Sequence, residues 1–582
     1  MTRLLKEHRW ALICAVLAAA WVCLPNALMG RQRAFYQNHF PEAFAQWTNN
    51  GDFSTIDSFS TLADDNYYYA ARIRRAAAGS QADPYAKGDR SPSVELSDKL
   101  TWSAFAAIWR LAGEPRAAWM LSQFLFSLLW VPLIYAVCLS LGAVRGPALF
   151  LAVLSTLYAD LARVLVIFRD FHPLQVLQSA VQYAVWLLGS YHYFLGPTRI
   201  TGPLLTFPCL FVAALAFVRA DKTKDSVWVA AAGLFGGALA YVHSDVFCAF
   251  LGAGVLYAAA RRSLRPALMV GIAIAVSIPW LLFCRPTHEQ IVLLGVIKGR
   301  QFMWGSLVFL AGAVFCWKKF PREGMPQWCA GLLMSMFLAC NTPLFTGEIL
   351  AQGHWFFLGN TFLLLVVGTW ASQKLPKISE TDWRWLTVLT FLVCLPRLIS
   401  YSVLHYKIYA LPAAEQKAYE WLDHNTPEGA VVAALSPQTN FRIAAHTHDF
   451  TAISFLFHLV SDIPLEENAR RIIYALSLYH VGAEDFLRLA TDNSRRWEDE
   501  LWNGEPDQQG RERDGAFRIY FCALGLERAT QLVRDAAAQP VEDFKADYLW
   551  VGKFEKSLIG GAGLPKGARV FENDAATIYK LP

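Results

Sequence analysis

Long apolar runs broken by short basic stretches dominate the first four hundred residues. A helix needs about 20 mostly apolar residues to cross a bilayer. Runs of that character recur at 9–29, 117–141, 147–166, 203–219, 226–242, 245–260, 266–284, 303–317, 327–341, 355–373 and 383–402. The pattern predicts a membrane module over residues 1–410 with about eleven spans. The first run follows Arg3, Lys6 and Arg9 and so has the look of a signal peptide, but further spans follow it and a retained anchor is expected. From residue 411 the pattern changes. Residues 412–429 are spaced as an amphipathic helix ending in a turn, and Ala430–Leu435 has the composition of a strand. Helical stretches around 463–477, 482–491 and 526–538 and strands near 547–552 and 568–580 complete a small α/β domain over 411–582.

Charge follows the same division. Asp, Glu, Lys and Arg make up 17% of the 582 residues, against about 25% in an ordinary soluble domain. Residues 411–582 carry 44 of the 99 such side chains, so the C-terminal stretch is as charged as a soluble domain and the preceding one is far poorer. This excludes a wholly soluble protein, a disordered chain and a nucleic-acid binder. The net charge of +5 is too small to point to a partner. Ten of the eleven cysteines fall in apolar segments; only Cys522 lies in the polar region, which therefore has no internal disulfide. There is no CxxC pair or zinc-type spacing. None of the 13 asparagines begins an N-glycosylation sequon, which leans toward a bacterial origin.

Basic residues in short loops mark the cytoplasmic side of a membrane protein. With the N-terminus inside, the inner loops carry Arg3, Lys6 and Arg9; Arg145; Arg219, Lys222 and Lys224; Arg261, Arg262 and Arg265; Lys318, Lys319 and Arg322; Lys374 and Lys377. The outer segments are then 30–116 (first outer loop), 167–202 (second outer loop), a short turn near 243, 285–302, 342–354 and the C-terminal domain. Making 174–195 a further span would turn every later basic loop outward, so that segment is placed at the outer surface. The inner loops are short and contain neither a Walker motif nor GxGxxG, which argues against an ATP-driven pump. Of the 13 histidines only His8 falls inside.

Polar clusters on the outer side carry the candidate chemistry. The first outer loop contains Asp64-Asp65-Asn66-Tyr67-Tyr68-Tyr69, followed by Arg72, Arg74 and Arg75. Asp65, Tyr69 and Arg72 share a helix face at i, i+4 and i+7. The ordinary meaning is a helix start with interfacial tyrosines; the functional one is a catalytic carboxylate near the membrane with arginines for a lipid phosphate. The second outer loop contains Arg169-Asp170-Phe171-His172 and, further on, Arg199. Two carboxylates can divide labour, one deprotonating a hydroxyl and one positioning it or a metal ion. His243 and Asp245 interrupt two apolar runs, as an ordinary turn or as polar substrate contacts. Arg285, Lys298 and Arg300 break the charge rule for an outer loop, which fits phosphate binding. Gln352, His354 and Trp355 precede the tenth span; such residues suit sugar recognition and also line membrane interfaces.

The whole arrangement resembles the C-type (GT-C) superfamily of integral-membrane glycosyltransferases. The resemblance covers nearly the whole chain. It rests on a retained first span, a long first outer loop with an Asp-x-Tyr-Tyr-like string (Asp65-Asn66-Tyr67-Tyr68), about eleven spans, a late Gly347…Gln352…His354-Trp355 stretch and a C-terminal outer domain. It implies transfer of a sugar from a polyprenyl-phosphate or polyprenyl-diphosphate carrier to an envelope glycan, lipid or protein on the outer face of a bacterial plasma membrane. By the resemblance the catalytic base or metal ligand is Asp65 or Asp64, with Asp170 as partner. A divalent Mg or Mn would sit on Asp64 and Asp170; Arg199, Arg285, Lys298 and Arg300 would hold donor phosphate; Tyr68, His172, His243, Asp245, Gln352 and His354 would contact substrate. The WWDYG-type motif of oligosaccharyltransferases is absent: Leu501-Trp502-Asn503-Gly504-Glu505 and Asp547-Tyr548-Leu549-Trp550 come nearest, so peptide glycosylation is not expected. Nor does the first loop carry the Asp-Glu pattern of aminoarabinose and protein O-mannosyl transferases. The competing class is a secondary transporter or lipid flippase, which would place charges at mid-span and show internal repeats; neither is found.

Overall fold

The structure, a computed structural model, describes residues 8–39, 66–80, 98–167, 204–284, 302–349, 352–375, 378–404, 410–453, 465–485, 526–538, 545–559 and 567–582, with a few single residues and pairs between them. It is mostly helical with a small sheet near the C-terminus. Among the described residues four helices are long and apolar enough to cross a membrane: Ala117–Ser140, Ser244–Arg261, Leu264–Phe283 and Gly324–Thr346. They mark a membrane protein. Further apolar helical stretches include Arg9–Leu24, Arg145–Leu157 and Ser226–Tyr241.

In chain order the helices are α1 (Arg9–His39), α2 (Asn66–Ala77), α3 (Lys99–Ala112), α4 (Pro115–Ser140), α5 (Arg145–Ile167), α6 (Thr206–Thr223), α7 (Ser226–Ala238), α8 (Ser244–Arg261), α9 (Leu264–Phe283), α10 (Leu307–Lys319), α11 (Gly324–Cys340), α12 (Gln352–Lys374) and α13 (Glu380–Leu404). Each apolar run of the sequence falls on one of them. Helix α1 continues to His39, past the expected start of the first outer loop at 30. Glycines let the helices approach closely. A Cβ on Gly237 of α7 would lie 2.7 Å from the carbonyl oxygen of Ala273 in α9, and one on Gly331 of α11 would lie 2.8 Å from that of Ala253 in α8. Lipid supplies no hydrophobic drive between helices, so such backbone proximity is a main source of their attraction.

Helix α8 fixes the two ends of the bundle. At its start, the carbonyl of Val242 accepts a 2.7 Å hydrogen bond from Thr101 of α3. At its other end, Tyr257 donates to Asp221 of α6 at 2.5 Å, Arg261 lies 3.8 Å from the same carboxylate, and Gly324 N–H at the head of α11 donates to Tyr257 at 3.3 Å. Eighteen residues at ~1.5 Å each separate these ends by about 27 Å, close to the hydrocarbon thickness of a bilayer. The loop between α1 and α4 therefore sits at one end. The basic residues Arg261, Arg262, Arg219 and Lys222 gather at the other.

The C-terminal region packs on the loop end. Strand β1 (Thr55–Ile56) pairs antiparallel with β4 (Ala410–Leu411), and Thr451 N–H donates to the carbonyl of Pro84 at 3.4 Å. Beyond β4 come α14 (Ala413–Asn425), β5 (Val431–Ala433), α15 (Pro437–His446), β6 (Phe450–Thr451), α16 (Leu465–Leu478), α17 (Leu526–Ala538), β7 (Tyr548–Val551), α18 (Lys553–Ile559), β8 (Ala568–Glu572) and β9 (Thr577–Lys580). The sheet order is β6-β5-β7-β9-β8, parallel among the first three and antiparallel among the last three. Alternation along a strand sends successive side chains to opposite faces. Accordingly Val431, Ala433 and Leu435 join Ile472 and Tyr479 on the α16 side, while Val432 and Ala434 join Tyr419 and Leu422 on the α14 side. The expected strand over 568–580 is a hairpin, β8 and β9. Asn573 makes the turn: its Oδ1 accepts from the N–H groups of Ala575 and Ala576 at 3.0 Å each.

Candidate functional site

At the loop end of the bundle, α2, α3 and the start of α8 converge. Helix α2 packs on α3 through Ala70, Ala71, Ile73, Trp102 and Phe105, all buried, with Tyr69 tilted against Trp102 at 5.8 Å between ring centroids. Arg110 of α3 closes the C-terminus of α2: its Nε and Nη2 donate to the carbonyls of Ala77 and Ala76 at 2.7 and 2.8 Å. A cation suits that helix end. Trp130 of α4 donates to the carbonyl of Leu204 at 2.9 Å and stacks on Phe207, anchoring the same end from below.

The polar groups held there are Asp98, Arg72, His243 and Asp245. Asp98 immediately precedes α3 in the left-handed backbone region, φ 52°, and its side chain makes no capping hydrogen bond. Aspartate tolerates this conformation better than most residues, yet its use signals a constraint. Burial pushes the Asp98 carboxyl above the ordinary aspartate range; His243 and Arg72 pull it down and Asp245 pushes it up. The residue as a whole is half-buried. His243 caps α8: its Nδ1 accepts from Asp245 N–H at 3.3 Å and lies 3.6 Å from Asp245 Oδ2. With Nδ1 accepting, the neutral ring carries its proton on Nε2. Arg72 is buried on α2, on the helix face shared with Tyr69.

Of the residues singled out in the sequence, the structure brings His243 and Asp245 together, and it adds Asp98, which sequence reasoning missed. Ser97-Asp98-Lys99 before a helix has the appearance of a plain N-cap, so no local signal marks it. Asp64, Asp65, Asp170, His172, Arg199 and Arg285 lie outside the described residues; the chain of Asp64-Asp65 leads directly into α2. Tyr68 belongs to α2 and Gln352 and His354 to α12 by backbone alone. Strand β2 (Ile297–Lys298) pairs antiparallel with β3 (Glu348–Ile349), with Lys298 opposite Glu348. This joins the 285–302 segment to the 342–354 segment. Arg300 is exposed. Asn341, also unforeseen, ties the same region together: it accepts from Met303 N–H at 2.9 Å and donates to Ser306 Oγ at 2.6 Å. No group of three or more His, Cys, Asp or Glu side chains suited to a metal occurs among the described residues.

A second polar knot lies where α2 meets the C-terminal domain. Arg74 donates to Asp423 at 2.6 Å and to the carbonyl of His446 at 2.7 Å. His448 sits between two carboxylates, its Nδ1 3.2 Å from Asp423 and its Nε2 3.6 Å from Asp449. Asp449 is wholly buried; Oδ1 accepts from Thr426 at 2.7 Å, and Oδ2 has no hydrogen-bond partner among the described residues. Burial pushes its carboxyl up to about 6, against the pull of Thr426 and His448. The native state therefore holds the proton more tightly than the unfolded chain, where aspartate titrates near ~3.9. That stabilising contribution is lost as pH rises from about 4 to about 6. Asp449→Asn should thus gain stability relative to wild type across this window, followed by thermal unfolding of the purified protein. Parallel pH curves for the two proteins would contradict the assignment.

No protein-family model matches the chain, and no curated protein matches it.

Proposed function

We propose that the chain is an integral-membrane glycosyltransferase that moves a sugar from a polyprenyl-phosphate or polyprenyl-diphosphate carrier to a cell-envelope acceptor. The observation that carries the reading is the acid–base cluster of Asp98, His243 and Asp245, with Arg72 near it, at the end of the bundle opposite the basic loops. By the charge rule this reading takes that end to be the outer face. Nucleotide sugars are absent there, so a donor has to arrive on a lipid. Such chemistry calls for a carboxylate near the membrane surface, cations for phosphate, and a bundle of about eleven spans of the GT-C type with a groove for the lipid tail.

In this reading Asp65, which with Asp64 precedes α2 in the sequence, takes the proton of the acceptor hydroxyl. The hydroxyl oxygen bonds to the anomeric carbon as the carbon–oxygen bond to the carrier breaks, and the carrier phosphate leaves as an anion. Asp98 is a second candidate for the base, through its place beside His243, Asp245 and Arg72. Asp64 and Asp170 would hold a divalent Mg or Mn ion if one is used. Arg199, Arg285, Lys298 and Arg300 would hold the phosphate, and Tyr68, His172, Gln352 and His354 with His243 and Asp245 would contact the sugars. The setting is a bacterial plasma membrane, N-terminus in, with the active site and residues 411–582 outside. A reporter fused after residue 430 tests the sidedness. It should read as extracytoplasmic; a cytoplasmic reading would remove the site from the face where lipid-linked donors are used.

A further inference from the structure

We propose that the cleft between α3 and α14 is a binding site for a linear oligosaccharide, and that the acceptor of the transfer reaction proposed above is therefore a glycan chain. The cleft has a volume of about 670 Å³ and lies at the seam of the first loop and the C-terminal domain. Trp109 and Arg110 form one wall; Gln416, Glu420, Asp423 and His424 of α14 form the other.

The lining selects against charged and lipidic ligands. Its polar groups are hydrogen-bonded and of both signs: Arg110 on one wall donates to the carbonyls of Ala77 and Ala76, and on the other Asp423 takes Arg74, Glu420 accepts from Gln416 at 2.7 Å, and His424 Nδ1 sits 2.6 Å from the carbonyl of Glu420. A strongly anionic or cationic ligand would meet like charge on one wall or the other. Acyl chains would strand these polar groups without water. Hydroxyls, each both donor and acceptor, fit alternating donors and acceptors, and the half-buried indole of Trp109 supplies apolar surface for a sugar ring.

The cleft is also at a fixed distance from the acid–base cluster, because one rigid helix carries both. Asp98 stands at the head of α3 and Trp109 and Arg110 near its end. At ~1.5 Å rise per residue they are separated by about 17 Å. That exceeds one sugar ring, so a ligand seated in the cleft reaches the cluster only as a chain of several sugars. Helix α3 thereby acts as a ruler for acceptor length.

The test uses the full chain in lipid nanodiscs. Maltohexaose, chitohexaose and mannohexaose, and the three parent monosaccharides, are titrated while tryptophan fluorescence and calorimetry are followed. Two variants alter the cleft lining: Ala78→Trp, at an exposed position, which fills it, and the double change Gln416→Ala/His424→Ala, at a half-buried and an exposed position. At least one hexasaccharide should bind, its monosaccharide should bind at least about tenfold more weakly, and each variant should lose about tenfold in affinity, as expected for one or two hydrogen bonds, with an unchanged melting temperature. Absence of binding by all three hexasaccharides, or equal binding by wild type and both variants, overturns the proposal. Cleft-dependent binding in a protein that turns over no lipid-linked donor would uphold the cleft and defeat the transferase reading. Donor turnover without cleft-dependent binding would do the reverse.

Discussion

If Asp98 rather than Asp65 takes the acceptor's proton, Asp98→Asn is expected to fold and insert normally yet lose about 10²–10⁴-fold in turnover, the usual contribution of a positioned acid or base. The choice of asparagine follows from the backbone. Asp98 has φ 52°, and asparagine is the side chain that best tolerates this region apart from glycine. The variant therefore keeps the turn into α3 and removes only the charge. Because burial holds the carboxyl above the ordinary range, its ionised form appears late as pH rises. If Asp98 is the base, wild-type turnover should climb with pH through that raised value and the climb should vanish in the variant. Full activity with an unchanged pH profile in Asp98→Asn would reduce Asp98 to a structural turn and leave Asp64 and Asp65 as the candidates.

Glu555→Ala is expected to cost at least about 3 kcal/mol of C-terminal-domain stability, because burying a backbone donor without an acceptor costs about 1–3 kcal/mol and three are stranded here. Oε1 of Glu555 accepts from the N–H groups of Leu435 and Ser436 at 3.0 and 3.1 Å, and Oε2 accepts from Gly552 N–H at 3.0 Å. The side chain is buried and ties the C-terminal end of β5 to that of β7. Glu555→Gln should cost less, since its remaining carbonyl oxygen can still serve Leu435 and Ser436. Thermal unfolding of the two variants checks this; equal stability of Glu555→Ala and wild type would contradict it. The domain edge that carries Asp423, His446 and His448 rests on this sheet, so loss of cleft geometry should accompany the unfolding.

How much of this was legible in the sequence depends on range. Helices such as α8 and α9 announce themselves, since apolar composition over about 20 residues is a local property. So do α14, through its helical periodicity, and β5 and β7, through their apolar and β-branched or aromatic residues. The hairpin of β8 and β9 was readable in principle from Asn573-Asp574, a common turn pair. Strand β6, with two residues, and α15, short and opened by Pro437, carry too little pattern to stand out. The site is harder because its members are joined by tertiary contacts. Arg74 and Asp423 are separated by some three hundred and fifty positions in the chain, and nothing local to either predicts the pair. His243 and Asp245 were visible as a polar break between apolar runs. Asp98 was not, because a carboxylate ahead of a helix is ordinarily explained by capping, and only the structure shows that this one does not cap.

The most direct test of the account is release of free polyprenyl phosphate or diphosphate by the purified protein from a panel of radiolabelled polyprenyl-linked sugars, with bacterial envelope extract as acceptor. The account predicts that one donor is consumed, that label appears in the acceptor, and that Asp65→Asn with Asp64→Asn abolishes both while donor binding persists. Consumption of no donor by a folded, membrane-inserted protein, or undiminished transfer by the doubly substituted chain, would contradict it.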